Sequence, residues 1–111
     1  MKRGDIYFAD LAPALGSETK KKRPVLIVSN DANNRVAATV TIVPITSNVI
    51  KVYPFEVFLD VSETGLRKQS KAQCHQVRTV STLRIEGKLL GCADTKTMAK
   101  IDVALRLHLN L

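Results

Sequence analysis

The sequence predicts a mostly-β (α+β) domain: a small, mostly antiparallel barrel with a C-terminal helix. Three observations predict it. Short strand-like segments come first, one helical stripe closes the chain, and 111 residues that are 45% hydrophobic suffice for a single core. No repeat, low-complexity tract or linker divides the chain, so residues 1–111 read as a single domain.

Asp5 to Leu11 (Asp-Ile-Tyr-Phe-Ala-Asp-Leu) reads as the first strand, rich in aromatic and branched side chains. Ala12 to Lys22 holds Pro13, Gly16, Ser17 and four charges, and reads as a loop. Pro24 to Ser29 is a buried strand with proline at its permitted first position. Asn30 to Asn34 is turn chemistry, because these side chains bond their own backbone. Ala38 to Ile45 is the next strand; Pro44 lacks a donor, so the strand is expected to end or reach an edge there. Phe55 to Asp60 sets Phe55, Val57 and Leu59 on one face. Ser62 to Gly65 reads as a turn. Lys71 to Thr79 alternates again, with Ala72, Cys74, Gln76 and Arg78 on one side. Lys88 to Ala93 is a short strand. Asp94 to Thr97 caps a helix whose stripe runs through Met98, Ile101, Leu105 and His108, widened by Val103 and Leu107.

Charge narrows the function. Seventeen Lys+Arg against ten Asp+Glu leave +7. A folded basic protein of this size suits a polyanionic partner such as nucleic acid. Two cysteines without a C-x-x-C exclude a disulfide scaffold and a zinc finger. No metal or cofactor site is expected. The first residues show no signal-peptide pattern, and no apolar run approaches the ~20 residues of a membrane span. A cytoplasmic protein without membrane association is the expectation.

Three segments can carry chemistry. Gly16-Ser17-Glu18-Thr19-Lys20-Lys21-Lys22-Arg23-Pro24 ends a loop and enters a buried strand. Runs of cations are usually solvated faces. Arg23 differs, because Pro24 stiffens its backbone and a guanidinium binds phosphate in two places at once. Glu18 is the carboxylate in this stretch, either a general base or an ion-pair partner. In Val43-Pro44-Ile45-Thr46-Ser47 two hydroxyls stand where the strand ends, each able to donate to a phosphate oxygen. Gln76-Val77-Arg78-Thr79 lies in a stretch, Arg67 to Lys88, with six cations and one anion. A glutamine and an arginine on one strand face suit base edges and phosphate; an exposed charged sheet face is the plain alternative. His75 and Cys74, as strand neighbours, are expected on opposite faces.

These segments together resemble the MazF/PemK family of toxin endoribonucleases. The match runs in order through Arg3-Gly4-Asp5-Ile6, Asp10-Leu11-x-Pro13, Gly16-Ser17-Glu18 and Arg23-Pro24-Val25-Leu26-Ile27-Val28-Ser29-Asn30-Asp31. It continues through Pro44-Ile45-Thr46-Ser47, Tyr53-Pro54-Phe55-Glu56-Val57, Gln76-Val77-Arg78-Thr79, Gly91 and the final helix. The resemblance implies an SH3-like barrel of the CcdB/MazF type, a homodimer, and metal-independent cleavage of single-stranded RNA by 2′-OH attack. It implies an antitoxin whose acidic, disordered tail covers the RNA groove. The family's catalytic positions fall on Arg23, Thr46 and Glu18. RNA contacts are expected from Ser17, Lys20, Lys22, Ser47, Gln76 and Arg78, and base selection from the loops 17–22 and 48–53 with Gln76. In some members an Arg and an Asp precede the Gln-x-Arg-Thr segment; here those positions hold Gln73 and His75, which makes His75 a candidate acid in the aspartate's place. The choice of general acid and base stays open. The competing readings are a non-catalytic RNA-binding module and a gyrase poison of the CcdB kind.

Overall fold

The computed structural model describes residues 1–13, 15–18 and 22–111. Its elements are β1 (Asp5–Asp10), β2 (Lys22–Ile27), α1 (Asp31–Val36), β3 (Thr39–Thr46), β4 (Glu56–Leu59), α2 (Val61–Thr64), β5 (Ser70–Gln73), β6 (Arg78–Ser81), β7 (Ile85–Cys92) and α3 (Thr95–Leu109). Every strand pairing among them is antiparallel. The path runs β4-β5-β3-β2-β1-β7, with β6 branching from β3. The expected mostly-β fold with a C-terminal helix is therefore present, but the described strands follow an open path with β4 and β7 at its ends rather than a closed barrel.

Alternate residues of the central strands feed two separate cores. Leu26, Val28, Val43 and Ile45 join Ile6, Leu59, Ala72 and Cys74 under Met98, Ile101 and Ala104 of α3. Val25, Ile27, Val40 and Ile42 instead join Ala9, Leu11 and Val80. Burial on both faces is why β2 is an unbroken apolar run instead of an alternating one.

Pro44 neither ends β3 nor lies at an edge. It is fully buried and pairs with Val25, and the strand continues to Thr46. On its other side β3 pairs with β6 as far as Ile42↔Arg78 and with β5 from Ile45↔Ala72. Pro44 falls in the interval between these two partners, where the ladder is interrupted and a missing donor costs little.

The segment 71–79 is likewise not one strand. A 3-10 turn over Cys74–Gln76 breaks it, closed by the Val77 amide on the Cys74 carbonyl. The turn carries the chain from the end of β3 served by β5 to the end served by β6. Cys74 is drawn into the core there, so Gln76 and Arg78 do not share a strand face and the expected strand alternation of Cys74 and His75 does not apply.

Two turn expectations become short helices. Asn30 accepts from the Asn33 amide at 2.8 Å and starts α1; Asp60 caps α2, which ends at Gly65 with φ +79. The local bonds are those expected of turn residues, continued for one more turn of backbone. Asp94 caps α3 through the Thr97 amide at 2.8 Å. The buried face of α3 is Thr97, Met98, Ile101 and Ala104, with Leu105 partly buried. It is narrower than the sequence stripe: Val103, Leu107 and His108 are exposed.

Gly91 has a packing reason to be glycine. A Cβ built on it would lie 2.1 Å from the Thr64 carbonyl oxygen, because α2 rests directly on the backbone of β7. Gly91→Ala is expected to cost about 1–3 kcal/mol of stability through overpacking, read as a lowered urea midpoint at unchanged slope.

Candidate active site

The register Val25↔Pro44, Leu26↔Val43, continued by two residues, sets Arg23 opposite Thr46. Both side chains line a cleft of about 820 Å³. The ends of β2 and β3 form one wall, with Lys22, Arg23, Pro24, Ile45, Thr46 and Ser47. The second wall is the 65–70 segment. Phe8, Lys88, Leu89 and Leu90 complete the lining. Gly65, in the left-handed region, terminates α2 and turns the chain so that Leu66, Arg67 and Lys68 face the strand ends.

Thr46 is half-buried, and its Oγ1 accepts from the Asn48 amide at 3.2 Å. That bond orients the hydroxyl and leaves its O–H to donate outward. Arg23 is half-buried at the start of a strand whose next four residues are Pro24 and the apolar Val25, Leu26 and Ile27, so its backbone is anchored by the core. Lys22, Arg23, Arg67, Lys68 and Lys88 give the lining five cations, and among the described residues it holds no carboxylate. Lys22 is ion-paired to Glu86 at 2.9 Å, which raises the pKa of its ammonium. Such a cleft attracts an extended polyanion and stabilises charge that develops on a phosphoryl group.

Of the expected residues, Arg23, Thr46, Lys22 and Ser47 are brought together here. Ser17 and Gln76 meet each other instead: the Gln76 amide donates to the Ser17 carbonyl at 3.3 Å, which joins two of the three regions expected to select bases. Arg78 stands opposite Ile42, four residues before Thr46 on β3, which is roughly 13 Å along a strand. Glu18 is exposed; its carboxylate accepts from the Leu15 amide at 2.8 Å and closes its own turn, outside the cleft lining. Lys20 lies outside the described residues. Arg67, Lys68 and Lys88 belong to the basic stretch of the sequence, but their convergence on Thr46 depends on the turn at Gly65.

The family model described as PemK-like, MazF-like toxin of type II toxin–antitoxin system matches residues 2–109. The chain belongs to this toxin family. It is 44% identical to endoribonuclease MazF9 of Mycobacterium tuberculosis over all of this chain and 98% of that one. Among solved structures it resembles a mycobacterial endoribonuclease in complex with its cognate antitoxin (TM-score 0.81, 30% identity, 100% of this chain and 96% of that chain). It also resembles MazF of Deinococcus radiodurans (TM-score 0.86, 25% identity, 100% and 97% covered).

Against this family background His75 stands apart from the cleft. Its ring meets Phe55 edge-on at 4.4 Å and lies 6.5 Å from His108. Burial holds its pKa below the usual imidazole range, and its buried Nδ1 has no hydrogen-bond partner. Among the described residues no cluster of His, Cys, Asp and Glu is placed to hold a metal ion, and no helix is long and apolar enough to cross a membrane. Cys74 and Cys92 are both free thiols; the first is in the core and the second is exposed at the end of β7. Burial, reinforced by Glu56, pushes the Cys74 thiol up to about 12. At pH 8 a thiol reagent is therefore expected to modify Cys92 alone in the native protein and both residues after denaturation, counted by mass.

Proposed function

We propose that this endoribonuclease of the toxin family cuts single-stranded RNA, mRNA above all, in the Arg23–Thr46 cleft without a metal, and thereby stops translation and growth. The observation that carries the reading is that Arg23 and Thr46, at the neighbouring ends of β2 and β3, line one cleft together with four further cations. The ribose 2′ oxygen attacks the adjacent phosphorus in line, and the bond to the 5′ oxygen breaks. The products are a 2′,3′-cyclic phosphate and a 5′-OH, so the proton lost from the 2′-OH is balanced by one gained on the leaving oxygen. Charge accumulates on the equatorial oxygens between these events. Arg23 provides a fixed guanidinium for them, and the Thr46 O–H one further donor. Arg23 is also a candidate for proton transfer. Glu18, engaged with the Leu15 amide, takes the 2′ proton only where substrate reaches the 15–18 turn.

Lys22 and Ser47 contact RNA phosphates beside the scissile bond, and Gln76 with the Ser17 turn reads bases further along. Lys20 and Arg78 extend the basic track. Exposed Val103, Leu107, Leu109 and Leu111 on and after α3 support assembly with a second copy and with an antitoxin. An acidic, disordered antitoxin tail matches the cleft's charge and folds as it binds.

With EDTA present, purified protein is expected to cut an unstructured RNA at discrete sites, leaving 5′-OH ends. Arg23→Ala and Thr46→Ala are each expected to lower the rate on the order of 10²–10³-fold. Intact RNA that is nevertheless bound would convert the enzyme into a binding module. For the inactive Thr46→Ala protein, engagement of all five cleft cations predicts a slope of log affinity against log salt of roughly −3 to −4; a slope near zero would remove the cationic cleft as the RNA path.

A further inference from the structure

The most heavily buried charges described in the chain are Lys71 and Glu56, 8% and 7% exposed, on the paired strands β5 and β4. Their ammonium and carboxylate meet at 2.9 Å. A buried pair of this kind stabilises a sheet no better than two well-packed apolar side chains, because desolvation offsets the attraction. What an apolar pair cannot do is hold backbone, and this pair holds a great deal of it. The Lys71 ammonium donates to the Lys51 carbonyl at 2.6 Å. The Glu56 carboxylate accepts from the Tyr53 amide at 3.1 Å, and the Glu56 amide donates to the Tyr53 carbonyl at 2.8 Å. The Lys51 and Lys71 ammonium groups lie 5.1 and 5.9 Å from the centre of the Tyr53 ring, which stacks on Phe55.

Lys71 also pairs directly opposite Thr46 in the β3–β5 register. The 47–55 loop leaves from Thr46, whose Oγ1 takes the Asn48 amide, and its far end is tied down by Lys71 and Glu56. One residue opposite the cleft thus sets the shape of the segment that emerges from the cleft. Tyr53 and Ile50 remain exposed on that segment.

We propose that Lys71, with Glu56, is a specificity-determining positioning residue: it fixes the 47–55 loop in the one shape that selects the RNA bases flanking the scissile phosphate. This rests on the Arg23–Thr46 cleft being the site of RNA cleavage. Without the tether the loop samples several shapes, so fewer contacts discriminate between sequences, while the groups at the phosphate are untouched.

The test uses Lys71→Met and the double variant Lys71→Met/Glu56→Leu, which leaves neither charge buried alone. Arg23→Ala is run beside them. Amide exchange reads the tether itself: the Tyr53 and Glu56 amides are expected to exchange about tenfold faster in the double variant, with Val43 and Leu26 unchanged. Cleavage of RNA with randomised sequence reads its purpose. The double variant is expected to lose about tenfold in preference between its best site and the next, with raised KM and kcat within about threefold. Unchanged loop amides overturn the tether. Faster loop amides with the same cleavage preference and KM overturn its role in selection. If Arg23→Ala still cuts, the cleft reading fails and the inference with it; if Arg23→Ala is dead and the Lys71 variants keep full preference, only the inference fails.

Discussion

The molecule is organised around one strand that must satisfy three neighbours. β3 offers one edge to β2 over Ile42–Pro44 and divides the other between β6 and β5. That division sends the chain through a 3-10 turn at Cys74–Gln76 and splits the interior into two apolar clusters. It also makes the far end of β3 the place where sheet gives way to loop. Thr46 is therefore held by the ladder to β5 on one side and lines the cleft on the other. This combination suits a donor that must stay fixed while a substrate comes and goes.

The electrostatics follow the same plan. Cations that are far apart in sequence, Lys22 and Arg23 on one side and Arg67, Lys68 and Lys88 on the other, converge because α2 ends at Gly65 and rests on the glycine backbone of β7. Anions are sorted elsewhere. Asp60 and Asp94 cap helices, and their amide partners hold both carboxylates below the usual range. Arg3 holds Asp31 and Asp102, its amide on the first and its guanidinium on the second. At the cleft itself Lys22 faces two carboxylates, Glu86 by an ion pair and Asp10 across the β1–β2 ladder.

Strand periodicity and the capped final helix were legible in the residues. What the sequence could not show is instructive in each case. Pro44 looks like a terminator because a proline's missing donor usually costs a ladder bond; only the exchange of partners along β3 removes that cost. Residues 71–79 alternate well enough to pass for one strand, and nothing local signals that Cys74 must fold inward. Glu18 was prominent as the carboxylate among cations, yet among the described residues its carboxylate accepts from the Leu15 amide in its own turn. Lys71 and Glu56 were invisible as a pair, because two charges in separate strands look like two solvated side chains until the sheet register sets them together.

The pairing of β1 with β7 imposes an order in time. Ile6 belongs to the same core as Ile101, and Phe8 shares the cleft with Leu89 and Leu90, some eighty residues later in synthesis. A growing chain that has already released Arg23 and Thr46 from the ribosome still lacks Lys88, Leu89 and Leu90, which complete their cleft. With elongation at about 5–20 residues per second, several seconds separate the appearance of the reactive side chains from their assembly. A cleft built this way is complete only once the last strand has been made, because its lining joins the first strand to the last.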